Sequence, residues 1–255
     1  MNIIAIANNK GGVGKTTSTQ NIGAAIGTFT NSRVLLIDLD PQASLSKSFG
    51  IYLAPEEVQV GSYLLGKTNL ANTVHSYKDS RIDILPASIS LIKNEKELEK
   101  SSTYPFNLQK VLKANIAEKK YDFIVIDCPP ALGALTTIAL TACNRYYVPL
   151  QAEYFSYEGL RDFMHYANEI SNRNPHIRLG GVFANRFNPY SKKNFSKNLV
   201  LSIQKQLGDK FLQNYIRDNI AISEAQAQGK HIFDYDVKSR GAQDYYNLTK
   251  EIIGR

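Results

Sequence analysis

The chain has 255 residues, 43% of them hydrophobic and 21% charged, with a formal net charge of +7. That apolar fraction excludes the disordered and fibrous classes, and no stretch reaches the roughly 18 consecutive apolar residues that a membrane span requires. Two cysteines, Cys128 and Cys143, exclude a disulfide framework or a four-cysteine metal site, and without a signal-peptide pattern the expected setting is the cytoplasm.

Short runs rich in Ile and Val lie at residues 3–7, 34–37, 82–85, 123–126, 146–150 and 181–185. They are apolar on both faces, as strands of a sheet covered on both sides must be. Helical stripes separate them. Ile22, Ala25, Ile26 and Phe29 form the first, Leu108, Val111, Leu112 and Ile116 the second, and Leu199, Ile203 and Leu207 a less complete third. The alternation predicts an α/β fold: a doubly wound, mostly parallel sheet flanked by helices, in one domain over residues 1–255. Residues 55–83 are polar and broken by Gly61 and Gly66, with one apolar patch at Tyr63, Leu64 and Leu65. They read as a surface excursion with one short helix. Between Arg173 and Arg217 stand nine basic residues and one acidic, a local +8 that leaves the other 210 residues at −1. Such an excess is the footprint expected for a polyanion; solvated helix faces are the plain alternative.

The first strand runs into Lys10-Gly11-Gly12-Val13-Gly14-Lys15-Thr16-Thr17 and then a helical pattern. Strand, glycine loop and helix in this order form a phosphate cradle. The glycines let successive backbone N–H groups turn inward, and the helix N-terminus adds partial positive charge. Lys15 is spaced to reach the β- and γ-phosphates, and the Thr16 hydroxyl to ligate Mg²⁺. The general pattern asks for glycine at position 9, where Asn9 stands instead, and a second lysine, Lys10, follows it.

With that lysine, the loop resembles the deviant Walker A motif of the ParA/MinD superfamily. Further motifs carry the resemblance over nearly the whole chain: Asp38-Leu39-Asp40-Pro41-Gln42 after the second strand, Asp127-Cys128-Pro129-Pro130 after the strand at 123–126, and Pro149-Leu150-Gln151 with Glu158-Gly159-Leu160. The last is Tyr235-Asp236-Val237-Lys238-Ser239-Arg240-Gly241-Ala242. The wording is most similar to the ParA/Soj branch, the partition ATPases. The resemblance implies ATP and Mg²⁺ as cofactors, held by Lys10, Gly11, Gly12, Val13, Gly14, Lys15, Thr16 and Thr17. It also implies an ATP-dependent homodimer in which Lys10 reaches the partner subunit's nucleotide; an ordinary exposed lysine is the alternative.

The acids stand at carboxyl ends of buried strands, where open α/β sheets bind ligands. Phosphoryl transfer needs charge neutralisation and a placed water. Asp40 is the expected water-orienting carboxylate, and Asp38 and Asp127 the expected Mg²⁺ shell with Thr16, although Asp38 could instead cap its strand end. In this family an Asn at the position of Asn185 meets the adenine edge; a turn residue is the alternative. The segment Tyr215-Ile216-Arg217-Asp218-Asn219 departs from the family, which has Pro after Ile.

The implied function is a switch that binds double-stranded DNA non-specifically on the nucleoid and segregates or positions a chromosome or plasmid with a ParB-like centromere-binding partner. Arg186, Lys192, Lys193, Lys197, Lys205 and Arg217 are the expected DNA contacts, with Lys197 and Arg217 away from the phosphates. The loop begins at residue 10, so no N-terminal helix-turn-helix domain is expected. A MinD-like membrane-surface switch is the alternative and would need a basic amphipathic C-terminal helix. The stripe Tyr245, Leu248 and Ile252 instead predicts a helix packed on the sheet, and no stable membrane binding is expected. An electron-transfer protein like the iron protein of nitrogenase fits poorly, because Cys128 and Cys143 are not placed to clamp a cluster.

Overall fold

Seven strands, β1 (Asn2–Ile6), β2 (Val34–Asp38), β3 (His75–Ser76), β4 (Ile82–Leu85), β5 (Phe123–Asp127), β6 (Arg145–Leu150) and β7 (Arg178–Ala184), form one sheet. The computed structural model describes residues 1–115, 121–153, 156–190 and 194–254; Ile116, Lys192 and Lys193, invoked above, lie outside them. The strand order is β3-β4-β2-β5-β1-β6-β7, parallel except for the β3–β4 pair. All six apolar runs become strands, because burial on both faces leaves them no polar alternation.

Side chains that alternate along each strand feed two cores. One face packs Ile3, Leu35, Ile37, Ile124 and Ile126 beneath α3 (Val60–Leu64), α4 (Leu91–Leu98), α5 (Asn107–Asn115), α6 (Ala134–Ala142), α7 (Ser156–Ile170) and α8 (Asn194–Leu207). The other packs Ile4, Ile6, Leu36 and Val125 against α1 (Lys15–Phe29), α2 (Ser44–Ser48), α9 (Ile220–Ala227), α10 (Ile232–Tyr235) and α11 (Arg240–Ile253). Tyr245, Leu248 and Ile252 are buried in this second core, as the stripe predicted. No described helix is long and apolar enough to cross a membrane.

Residues 55–83 hold one short helix, as expected, but it is buried rather than superficial. Val60, Tyr63, Leu64 and Leu70 are all buried, so α3 is a core plug. Its apolar residues are too few to show a period, and a single turn of helix suffices to bury them. The two-residue β3, paired to β4 through His75↔Ile84 and Ser76↔Asp83, is too short to show alternation. Phe29 closes its stripe exposed, edge-on to Phe233 and Tyr246.

Gly23 sets how closely α1 approaches β2, since a Cβ there would sit 2.2 Å from Leu36 Cδ2. Gly23→Ala gains about 1 kcal/mol of helix propensity, but overpacking a closed core costs about 1–3 kcal/mol. Urea unfolding should therefore show net destabilisation; a stabilised variant would mean that α1 and β2 can part freely.

Candidate active site

The phosphate loop leaves β1 and enters α1 through left-handed glycines, Gly12 at φ +75° and Gly14 at φ +90°. A Cβ on Gly11 or Gly12 would meet nothing within 4 Å, so this arc of backbone faces open cleft. A Cβ on Gly14 would sit 2.1 Å from Asn185 Nδ2. That amide donates to the Val13 carbonyl at 2.6 Å. Asn185, buried at the end of β7, thus ties the sheet to the loop; the adenine contact implied by the resemblance would have to be added to this bond.

Lys15 is buried and its Nζ donates to the Lys10 carbonyl at 2.9 Å. Burial pulls its ammonium below the usual lysine range, against the opposing pull of Asp127 and Asp40. The Thr16 hydroxyl donates to Asp127 Oδ2 at 2.7 Å, and Thr19 reaches Asp127 Oδ1 at 3.3 Å. Across the sheet, Asp38 is in register with Asp127. Both carboxylates are fully buried. Burial pushes Asp38 up to about 6, and burial followed by the charge of Asp38 drives Asp127 well above the carboxylate range.

The two acids are used differently. Asp38 accepts from Asp40 N at 3.1 Å, from Ser46 N at 2.9 Å and from Ser46 Oγ at 2.7 Å. Its oxygens are committed to the turn after β2, which favours the strand-end cap. Asp40 is half-buried, accepts from Gln42 N at 2.9 Å and lines the cleft. Thr16 and Asp127 offer hard oxygens beside Lys15 and the open glycine arc, a donor set that suits Mg²⁺. Among the described residues no three His, Cys, Asp or Glu gather as a cation cage; an ion that keeps several waters needs none. Cys128 and Cys143 are free and buried, and burial first, then Asp127, drives the Cys128 thiol well up, so both behave as small hydrophobes.

The cleft encloses about 880 Å³. The loop and Asp40 line one end, and Asn185, Arg186, Ile216, Arg217 and Ile220 line another part. The basic window is therefore split. Arg186 and Arg217, expected as DNA contacts, border the cleft, because β7 and the segment after α8 both run to the sheet's carboxyl edge. Lys197 and Lys205 are exposed on α8. Lys10 Nζ pairs with Glu153 at 2.6 Å, both side chains partly exposed. Sequence reading missed Glu153, Ser46 and the place of the two arginines at the cleft. Asp38 and Ser46 are only eight positions apart, so the strand-end cap considered for Asp38 has a local partner. The other partners are joined only by the fold.

A glycine arc, a helix N-terminus, one buried lysine and a hydroxyl-paired aspartate at the parallel edge of a doubly wound sheet define a P-loop nucleoside triphosphatase. The family described as AAA domain matches residues 1–179. The chain is 36% identical to sporulation initiation inhibitor protein Soj of Bacillus subtilis, over 98% of this chain and 97% of that one. It is 34% identical to chromosome partitioning protein ParA of Caulobacter vibrioides, over 100% and 95%. A cobyrinic acid a,c-diamide synthase from Mycobacterium smegmatis, solved with an ATP analogue and magnesium, superposes with a TM-score of 0.79 at 30% identity, covering 100% and 97%. The chain belongs to the ParA/Soj branch of the ParA/MinD family of ATPases.

The buried acids give a pH signature. Asp38 and Asp127 hold protons more tightly folded than unfolded, so the ligand-free protein loses stability as pH rises from about 4 through 6. Asp127→Asn should raise the ligand-free Tm at pH 7.5 by about 3 °C or more, roughly 1 kcal/mol. The gain should shrink toward pH 4. A gain independent of pH would show that the carboxyl is not titrating there.

Proposed function

We propose that the chain is an ATP- and Mg²⁺-dependent switch that dimerises on ATP, binds double-stranded DNA without sequence preference, and segregates or positions a chromosome or plasmid. A ParB-like centromere-binding protein is its partner, and the nucleoid its place of action. The relatives differ in what they are named for, and a shared nucleotide is what their common fold supports. The observation that carries the switch reading is the pair of lysines on one loop. Lys15 is buried at the phosphate cradle, whereas the Lys10 side chain is partly exposed and, among the described residues, pairs with Glu153.

In this reading Lys15 meets the β- and γ-phosphates, Thr16 and Asp127 hold Mg²⁺, and Asp40 orients the attacking water. Bound magnesium supplies neutralisation of charge on the phosphates. Lys10 serves the partner subunit's nucleotide. Its pair with Glu153 is exposed enough to be worth only about 0–1 kcal/mol, so releasing it costs little. Lys197 and Lys205 on α8 are the DNA contacts that remain after the cleft arginines are set aside; Lys192 and Lys193 precede the same helix in the sequence. Dimerisation doubles the basic surface, and because log K changes by about 0.9 per phosphate contact for each decade of salt, affinity rises far more than twofold. The membrane alternative loses its support, since the stripe on α11 is buried.

Lys10→Ala should bind ATP–Mg²⁺ as the parent does by calorimetry, yet fail to double its mass with ATP in light scattering and fail to co-sediment with DNA. Lys197→Glu with Lys205→Glu should dimerise but lose DNA of any sequence. A Lys10→Ala protein that dimerises, or parental DNA binding equally strong with ADP, would contradict the proposal.

A further inference from the structure

Arg217 occupies the place where the family wording has proline, and the fold fixes it with unusual care. Its backbone N–H donates to Asp244 Oδ2 at 3.0 Å; Nε donates to Oδ1 and Oδ2 at 3.2 and 3.0 Å, and Nη2 to Oδ1 at 2.6 Å. The Asp244 side chain is only 8% accessible, whereas that of Arg217 is 34% accessible. One carboxylate on α11 therefore sets both the backbone position and the guanidinium plane. The preceding residue is pinned as well: Ile216 N donates to the Ala184 carbonyl at 2.9 Å and Phe187 N to the Ile216 carbonyl at 2.9 Å. Ile216 also bridges to Asn185, which holds the phosphate loop.

This anchored plane borders the cleft with Ile216 and Ile220, the latter 77% exposed. The charge there is balanced, Arg217 by Asp244 and Arg186 by Asp218 at 3.8 Å. A balanced pair is a poor phosphate trap, and the loop with Lys15 already serves the phosphates. A flat, weakly hydrated cation flanked by aliphatic side chains is instead suited to the π-face of a nucleobase. With one edge held by Asp244, the faces and Nη1 are left for a ligand, Nη1 making no hydrogen bond among the described residues.

We propose that Arg217 contacts the base of the bound nucleotide, its guanidinium plane oriented by Asp244. This rests on reading the cleft as an ATP site. Asp244 is a positioning residue, acting only through Arg217.

Calorimetry of the full chain with ATP–Mg²⁺ and, separately, with tripolyphosphate–Mg²⁺, which lacks base and ribose, tests it. Arg217→Ala should weaken ATP about tenfold and leave tripolyphosphate unchanged. Arg217→Lys, which keeps a cation for Asp244 but has no plane, should lose nearly as much and serves if the alanine variant does not fold. Asp244→Asn should weaken ATP in the parent and add nothing in the Arg217→Ala background. Unchanged ATP affinity in both Arg217 variants overturns the inference, as does an equal loss of tripolyphosphate, which would make Arg217 a phosphate contact. A parent that binds neither ligand overturns the nucleotide reading and this inference with it.

Discussion

Two carboxylates buried side by side dominate this molecule. The parallel register that pairs β2 with β5 sets Asp38 opposite Asp127 at the strands' carboxyl ends, with no exposure to water. Each buried charge costs several kcal/mol unless compensated, and neighbouring like charges add to it. The loop after β1 supplies partial compensation through Lys15 and the Thr16 hydroxyl, and Ser46 with the Asp40 amide satisfies Asp38. What remains is a site whose ligand-free form favours protons and whose ionised form calls for a cation. Site and fold are therefore one electrostatic problem: the β-sheet that gives the core its Ile and Val also delivers the charges that the ligand must neutralise.

The helix after the loop spreads that local state outward. Gln20, fully buried on α1, donates to the Ser48 carbonyl at 2.7 Å and to the Lys230 carbonyl at 3.2 Å. Asn21 accepts from Ile232 N at 2.9 Å. One face of α1 thus grips both the segment that begins at Asp40 and the C-terminal helices that border the cleft. These directional bonds, beside the apolar packing of α1, tie the helix that follows the loop to elements far away in sequence.

Much of this was legible in the sequence, for physical reasons that also mark the limits. Strands buried on both faces announce themselves by unbroken apolar runs, and a phosphate loop is local, so its chemistry is written in eight consecutive residues. Asp38 was harder: a carboxylate at a strand end can bind or cap, and the Ser46 bonds that favour the cap appear only in the fold. The basic window does not form one surface, because charge summed along the chain ignores where the backbone turns. Arg186 and Arg217 go to the cleft while Lys197 and Lys205 ride on α8. The Lys10–Glu153 and Arg217–Asp244 pairs, 143 and 27 positions apart, carry no pattern that spacing could show. The plug at Val60, Tyr63, Leu64 and Leu70 had too few residues for a period.

The central claim is that buried Asp127, with Thr16 and Lys15 beside it, takes a cation and phosphates together. Thermal unfolding with Mg²⁺ alone, ATP alone and both, from pH 5 to pH 8, tests it most directly. The account predicts that Mg²⁺ and ATP together raise Tm by more than the sum of their separate effects. That gain should grow with pH up to about neutrality, because the ligands replace the proton on the Asp127 carboxyl. Equal stabilisation by ATP without Mg²⁺, flat across that pH range, would contradict it.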